Sequence, residues 1–230
     1  MTNQKMMMRP SEAVTYNPRD LSSLRKLVAK GESLHLEFKR KVKFPEKIVR
    51  EIIAFANTDG GTLLIGVNDD GTLPGVKFPE EESHNLRDAL VRHCQPQIEI
   101  EESIISLSEK RFVLQLQIPK GVRKPYHFVH ANQKKEIFIR IADNTVKASP
   151  LMGEIIRRSE NKNGVRFYFG NHEKQLMQFL ETNPTVTLKE FITFSGLNRF
   201  QASKKLVLLT LAKVIKVTPT EKGDLFSRIY

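Results

Sequence analysis

Residues 54–71 read Ala-Phe-Ala-Asn-Thr-Asp-Gly-Gly-Thr-Leu-Leu-Ile-Gly-Val-Asn-Asp-Asp-Gly, and this stretch decides the fold of the chain. Apolar residues at helical spacing lead into it and stop at Asn57. Gly60-Gly61 follows, and glycines after a helix supply the positive φ angles that end it. The apolar run 62–65 then predicts a short strand in the interior of a sheet. A turn-forming cluster, 66–71, closes that strand.

The residues before this stretch predict a helix and a strand that pack beside it. A helix is expected to begin at Pro18, and a second at Pro45 leads into the central stretch. Between them, the segment 34–39 alternates strictly between apolar and polar residues, which predicts a strand. Glu32 precedes this strand, where the chain can bend its carboxyl group round to the side of Glu37. The polar side chains expected to face outward are His35, Glu37 and Lys39.

Downstream of the central stretch, the sequence predicts a further helix and an antiparallel hairpin. Residues 80–93 carry acidic side chains at their start and basic ones near their end, as the helix dipole favours. Residues 98–105 and 111–118 alternate on either side of a short polar connection, which predicts the hairpin. A short helix over 150–158 completes a domain over 18–160. The predicted class is α+β, a mixed, mostly antiparallel sheet with flanking helices.

The composition changes after this domain. The polar residues 161–164 predict a linker, which we place at 161–170. From Gly164 onward ten Lys and Arg stand against five Asp and Glu. Three helical patterns and a two-stranded ribbon over 171–230 outline a small winged helix-turn-helix domain. At the other end, residues 1–17 show no periodicity and predict a flexible arm.

The third helical pattern of this C-terminal domain carries side chains that can contact base edges or phosphates. Asn198, Gln201, Lys204 and Lys205 are expected on its exposed side. The alternative is a solvated basic face on a helical bundle that binds protein. The residues expected to bind nucleic acid are Asn198, Arg199, Gln201, Lys204, Lys205, Lys216 and Lys222.

The charge of the whole chain favours a polyanionic partner, DNA or RNA. The formal net charge is +11 and the isoelectric point is near 9.7, and such an excess neutralises phosphates with release of counterions. An ordinary soluble basic surface is the alternative. Cys94 is the single cysteine, which indicates a reducing compartment and a cytoplasmic location. No apolar run approaches the roughly 20 residues that span a bilayer, so no membrane partner is expected.

Several motifs follow one another in a fixed order: Glu32-x4-Glu37-Phe38-Lys39, residues 54–61, residues 65–71, Gly75-Val76, Gln95-Pro96, Lys124-Pro125-Tyr126 and Ile139-Arg140. This series resembles the Schlafen AlbA-like domain, formerly described as a divergent AAA domain. The resemblance covers roughly residues 18–158 and implies a small α/β domain with a mixed, mostly antiparallel sheet. Bacterial members often carry a C-terminal winged helix and are described as DNA-binding transcriptional regulators.

The resemblance also implies a set of catalytic residues. Some Schlafen members are divalent-metal-dependent RNA endonucleases that use two glutamates and one aspartate. By motif, these roles fall on Glu32, Glu37 and Asp69, which would hold Mg²⁺ or Mn²⁺ beside a phosphodiester. Lys39 could stabilise the charge that develops on the phosphorus centre. Asn68 stands where the nucleases have an additional aspartate.

The same residues have simpler interpretations. Glu32 and Glu37 could be surface carboxylates paired with basic neighbours, and Asp69 could serve only to form a turn. The neighbours in question are Lys39, Arg40 and Lys41. No Gly-x4-Gly-Lys-Ser/Thr loop occurs in the sequence, so an ATPase activity has no phosphate-binding loop behind it.

Three functions are consistent with these observations. The first is a DNA-binding transcriptional regulator whose winged helix contacts DNA and whose AlbA-like domain supplies dimerisation, a basic surface or ligand sensing. The sequence indicates no certain cofactor for this function, whereas the nuclease function would use Mg²⁺ or Mn²⁺. The second is a metal-dependent endoribonuclease, and the third is a non-catalytic assembly module. A homodimer is expected because helix-turn-helix regulators usually meet two half-sites.

Overall fold

The computed structural model describes residues 18–159, 165–220 and 222–229. The arm predicted at 1–17 and the start of the predicted linker, 161–164, lie outside the described residues. The chain divides into two compact units, Met1–Lys147 and Ala148–Tyr230. The first unit contains the central Gly-Gly stretch, and the second contains the basic C-terminal segment.

The first unit begins with alternating helices and strands and ends in a series of strands. Its elements are α1 (Pro18–Val28), β1 (Leu36–Lys39), α2 (Pro45–Asn57), β2 (Gly61–Ile65), α3 (Pro79–His93), β3 (Cys94–Gln95), β4 (Glu101–Ser108), β5 (Arg111–Ile118), β6 (His127–Val129), β7 (Lys135–Glu136), β8 (Phe138–Ile141) and β9 (Asn144–Lys147). The unit is built around a four-stranded sheet in the order β1-β2-β5-β4. β1 and β2 are parallel and the other pairs are antiparallel, as the mixed, mostly antiparallel prediction requires. Smaller sheets join β3 with β6 and β7, and β8 with β9.

The predicted interior strand is β2, which lies between β1 and β5. Its Leu63 and Ile65 pack into one core with α2 and α3, and its Leu64 packs into a second core with α1. The sheet is therefore covered on both faces.

The corner between α2 and β2 requires glycine. Gly60 has a φ of +76°, and a Cβ there would lie 2.7 Å from the backbone oxygen of Ile118.

The prediction that Glu37 faces outward is wrong. The residue is 6% exposed, because the face of β1 that carries it is covered by other elements of the first unit. Strict alternation predicts a polar outer face only where one face of a sheet meets solvent. The strand also begins at Leu36 rather than Leu34.

The second unit packs helices against a small sheet. Its elements, within the described residues, are α4 (Pro150–Ser159), α5 (Asn171–Thr182), β10 (Val186–Thr187), α6 (Leu188–Ser195), α7 (Arg199–Leu211), β11 (Ile215–Thr220) and β12 (Gly223–Arg228). The three strands form an antiparallel sheet in the order β10-β12-β11, so the predicted two-stranded ribbon is present and gains β10 as a third strand. The core contains Leu176, Phe191, Leu206 and Phe226.

Helix α4 belongs to this second unit. Leu151 and Ile155 lie in the same core as α5, α6 and α7, and the division between the units falls at Lys147. The sequence places this helix in the domain over 18–160, because its own apolar pattern does not show which core it joins. The fold class is α+β, as predicted.

Candidate functional sites

The first candidate site surrounds the carboxylate of Glu37. Its Oε2 accepts a hydrogen bond of 2.7 Å from Nη1 of Arg140, and its Oε1 pairs with the ammonium group of Lys39. The side chain of Arg140 is 1% exposed. Both oxygens of Glu37 therefore face cations of the protein itself, in a buried environment where such pairing compensates the cost of removing charge from water.

Arg140 connects several elements at this point. Besides Glu37, its guanidinium group donates to the backbone oxygen of Ser33 at 2.8 Å and to Oγ1 of Thr145 at 3.1 Å. Its Cζ lies 4.6 Å from the ring centroid of Phe55 in α2. One arginine thus holds β1, α2 and the β8–β9 hairpin together, which assigns Glu37 a structural role.

Glu51 of α2 completes the cluster and was not predicted. Its Oε1 lies 3.2 Å from Nζ of Lys39, while its Oε2 is buried with no hydrogen-bond partner among the described residues. Burial raises the pKa of Glu51 to about 7, against the opposing effect of Lys39. A sequence signal existed, since Glu51 lies three residues after Ile48 and four before Phe55, on the apolar face of the helix.

Glu32 lies close to Glu37, and its carboxylate is hydrogen-bonded to the protein backbone. Its Oε1 accepts a hydrogen bond of 2.9 Å from the amide of Phe38, a group on the outer edge of β1. Burial raises the pKa of Glu32, and the neighbouring Glu37 charge adds to this, while the Phe38 bond opposes it. The structure therefore brings Glu32 and Glu37 together, as the sequence predicts.

Asp69 does not join them. It is exposed in the turn after β2, where Asp70 accepts bonds of 2.9 and 2.6 Å from the amide and hydroxyl of Thr72. Across residues 18–159, 165–220 and 222–229, no three His, Cys, Asp or Glu side chains are arranged to hold a metal ion. As they stand, Glu32, Glu37 and Asp69 do not fit a Mg²⁺ or Mn²⁺ site, and their catalytic role stays a prediction.

The second candidate site is a cavity of about 870 Å³ in the second unit. It lies among α4, α6, the first half of α7 and the turn between β11 and β12. Apolar residues such as Ile192, Val207 and Phe226 line it together with several cations. The basic side chains of the lining are Arg157, Arg158, Lys189, Arg199, Lys204 and Lys222.

Four of these cations have no acidic partner within 4.0 Å in the described chain, and we call them the open cations: Lys189, Arg199, Lys204 and Lys222. The other two differ. Arg157 lies 2.5 Å from Glu154 and Arg158 lies 4.0 Å from it. Unpaired cations that converge from three elements on a concave surface create a positive potential that attracts anions.

The predicted residues of α7 separate into two groups. Arg199 and Lys204 line the cavity, whereas Asn198 and Gln201 form a capping box. The amide of Gln201 donates to Oδ1 of Asn198 at 2.9 Å, and the amide of Asn198 donates to Oε1 of Gln201 at 3.3 Å. Phe200 lies between Asn198 and Gln201 in the sequence. It was not predicted as a site residue, and it is 77% exposed.

Two other predicted lysines lie elsewhere. Lys205 is not on the exposed side of α7, because its ammonium group pairs with Glu173 of α5, which is itself 3% exposed. Lys216 is exposed on β11 but does not line the cavity. Lys222 does line it. The site also contains Lys189, which sequence reasoning missed because it lies in α6, ahead of the helix whose pattern predicts base contacts.

A comparison with known protein families identifies a family for the first unit. The sequence model described as Schlafen, AlbA_2 matches residues 32–149, just over half of the chain. The chain belongs to the Schlafen AlbA_2 family. Schlafen AlbA_2 domains are generally associated with nucleic acids, and the match includes Glu37, Asp69 and Arg140.

Among solved structures, the Schlafen AlbA_2 chain is similar to the DIP2311 protein from Corynebacterium diphtheriae, with a TM-score of 0.45 and 14% sequence identity. The similarity covers 90% of this chain and 38% of that one, so this chain spans well under half the length of the other. Within the described residues, no helix combines the length and apolar character that crossing a membrane requires.

Proposed function

We propose that this Schlafen AlbA_2 protein is a DNA-binding transcriptional regulator whose second unit is a winged helix-turn-helix that contacts duplex DNA. The observation that carries the proposal is the convergence of the open cations on the exposed first half of α7. Lys189, Arg199 and Lys204 come from two consecutive helices, and Lys222 comes from the turn of the following hairpin.

The order of elements supports this function. Helix α5, strand β10, helices α6 and α7, and the β11–β12 hairpin follow one another as in a winged helix. In such domains the second helix of the pair enters the major groove with its N-terminal residues towards the bases. The start of α6 and the hairpin turn then lie beside the phosphates, where Lys189 and Lys222 are found.

The first unit would then supply dimerisation, a basic surface or ligand sensing. We propose a homodimer, since two copies would present two reading helices to the two halves of a site. Sedimentation equilibrium of the full chain, alone and with duplex DNA, tests this assembly. A protein that stays monomeric on DNA would remove the dimer and leave the DNA contact in place.

The DNA contact is tested by measuring the affinity of the full chain for duplex DNA across a salt series. Lys189→Gln, Lys204→Gln and Lys222→Gln are each expected to weaken binding and to reduce the slope of log K against log salt by about 0.9 for each phosphate that is no longer neutralised. Lys174→Gln is the matched control, because Lys174 is exposed in α5 and does not line the cavity. Binding that ignores salt and all three changes would contradict the proposal and favour a protein-docking module.

The endoribonuclease alternative rests on the proximity of Glu32 and Glu37 in a family that includes nucleases. It is tested by incubating structured RNA with the protein and Mn²⁺ or Mg²⁺. Asp69→Asn is the informative change, because Asp69 is exposed and its loss should not disturb the fold, unlike a change at Glu37. Asp88→Asn, at another exposed aspartate, is the control. Cleavage that both variants retain would exclude the proposed metal ligand.

A further inference from the structure

Phe200 is the most unusual residue on the surface of α7. It is the second residue of the helix and is 77% exposed. Three of the buried residues of the helix, Ala202, Leu206 and Leu209, lie on the opposite side at 100° per residue. The fourth, Val207, lies two turns further along on the same side as Phe200, and both residues line the cavity. A large aromatic side chain is thus exposed at the cavity, at the start of the helix.

The polar residues beside Phe200 are already engaged. The side-chain oxygens of Asn198 and Gln201 accept the bonds of the capping box, so these residues cannot offer both ends of their amides to a base without opening the helix start. Arg199 and Lys204 remain available as cations on either side. The outward surface at the helix start is therefore an aromatic ring between two positive charges.

This arrangement matches one feature of the major groove. Thymine carries a C5-methyl group there, and contact with an apolar side chain such as Phe distinguishes it from the other bases. Phosphate contacts by the open cations would set the position of the helix, while a contact to a base edge would set its preference. A methyl group on cytosine C5 presents the same apolar feature.

We propose that Phe200 is a specificity-determining residue, which contacts the C5-methyl group of thymine, or of 5-methylcytosine, in the major groove. This inference rests on the proposed DNA-binding function. It predicts a preference for DNA with C5-methyl groups that depends on one side chain, whereas overall affinity depends on the open cations.

The test compares duplexes that differ only in the methyl group. Affinity of the full chain is measured for alternating dA-dT and alternating dA-dU duplexes, and for alternating dG-dC duplexes with and without 5-methylcytosine. Burial of one methyl group predicts roughly fourfold tighter binding of the methylated member for each methyl group contacted. Phe200→Ala is expected to make the members of each pair bind equally. Because Phe200 is so exposed, this variant should fold normally.

A matched control and a thermodynamic cycle separate the contact from differences in DNA shape. Tyr168→Ala removes another exposed aromatic side chain, 84% exposed in the same unit, and should retain the methyl preference. The decrease in preference on Phe200→Ala measures the coupling between ring and methyl group. Equal binding of methylated and unmethylated duplexes by the wild type overturns the inference but leaves the DNA-binding function standing. A preference that survives Phe200→Ala also overturns it. Failure to bind any of the four duplexes removes both proposals.

Discussion

At the scale of single residues, the first unit shows how burial changes the meaning of a charged side chain. Glu37 and Arg140 are 103 positions apart in sequence and form an ion pair with side chains 8% and 1% exposed. Removing one partner of such a pair leaves an uncompensated charge in a medium of low polarity. Variants of Glu37 will therefore lose stability whether or not the residue takes part in catalysis, and activity assays on them need a folding control.

Glu51 predicts an unusual pH dependence of stability. Its folded pKa is about 7, above the ordinary value of 4.5, so the folded state holds a proton that the unfolded state releases. Its contribution to the free energy of unfolding should be fully present below about pH 4.5 and be lost as the pH rises to about 7. Urea denaturation at several pH values is expected to show that loss in the wild type.

Glu51→Gln is the variant that tests this dependence, because a neutral amide of similar shape cannot titrate. It should flatten the pH profile between those values, with a gain in stability on the order of 2–3 kcal/mol relative to the wild type at the alkaline end. Glu109→Gln, the same change at an exposed site in the turn between β4 and β5, should leave the profile unchanged. A wild-type profile that does not fall over this range would show that Glu51 stays ionised in the folded protein.

At the scale of elements, the corner between α2 and β2 depends on the absence of a side chain. Gly31 and Gly60 have nearly the same backbone, with φ of +71° and +76°. Around Gly31 an added Cβ would meet nothing within 4 Å, whereas at Gly60 it would lie 2.7 Å from two backbone atoms. The two positions separate the cost of a left-handed backbone from the cost of close packing.

Gly31→Ala is expected to cost about 1–2 kcal/mol of unfolding free energy, the usual penalty for a side chain in the left-handed region. Gly60→Ala should cost at least a further 1–3 kcal/mol, roughly the penalty of overpacking, because β2 would have to move away from the chain that follows β5. Both values come from urea denaturation of the full chain, followed by a probe in the first unit. Equal destabilisation at the two positions would show that the corner relaxes freely.

At the scale of the whole molecule, the net charge of +11 does not by itself show which cations can bind a ligand. Many cations are paired, such as Lys39, Arg140 and Lys205, and these cannot serve a ligand without breaking an ion pair. The open cations of the second unit have no acidic partner within 4.0 Å among the described residues, and they share one cavity. The first unit also has such cations, and Arg40, Lys41 and Lys77 line a concave surface of their own. A basic composition therefore indicates a polyanionic partner, and ion pairing removes only part of the cations from the surfaces that could meet it.

Glu154 offers a test of whether ion pairing within the cavity weakens the binding of DNA. Its carboxylate lies in the lining of the cavity and pairs with Arg157 and Arg158. Glu154→Gln should release both arginines and strengthen binding to duplex DNA by roughly three- to tenfold at low salt, with a steeper salt dependence. Glu181→Gln is the control, since Glu181 pairs weakly with Arg228 and lies outside the cavity. Equal effects of the two changes would mean that only the total charge matters.

Some of what the structure shows was readable in the sequence. The spacing Asn198-x-x-Gln201 is that of a capping box, so the engagement of these side chains in the helix start is a local property. The position of Glu51 on an apolar helix face was also a local signal. By contrast, the pairing of Lys205 with Glu173 joins residues 32 positions apart, and no periodicity indicates it.

The sequence by itself determined the main helices and strands, though not the short strands β3, β9 and β10, together with the glycine corner before the interior strand, the α+β class and the basic character of the C-terminal segment. These follow from side-chain periodicity and backbone restrictions, which act over a few residues. Only the tertiary structure decided that Glu37 is buried against Arg140, that α4 joins the second unit, and which lysines stay unpaired. Each of these depends on which distant element covers a given face, and burial and charge pairing are set by that packing.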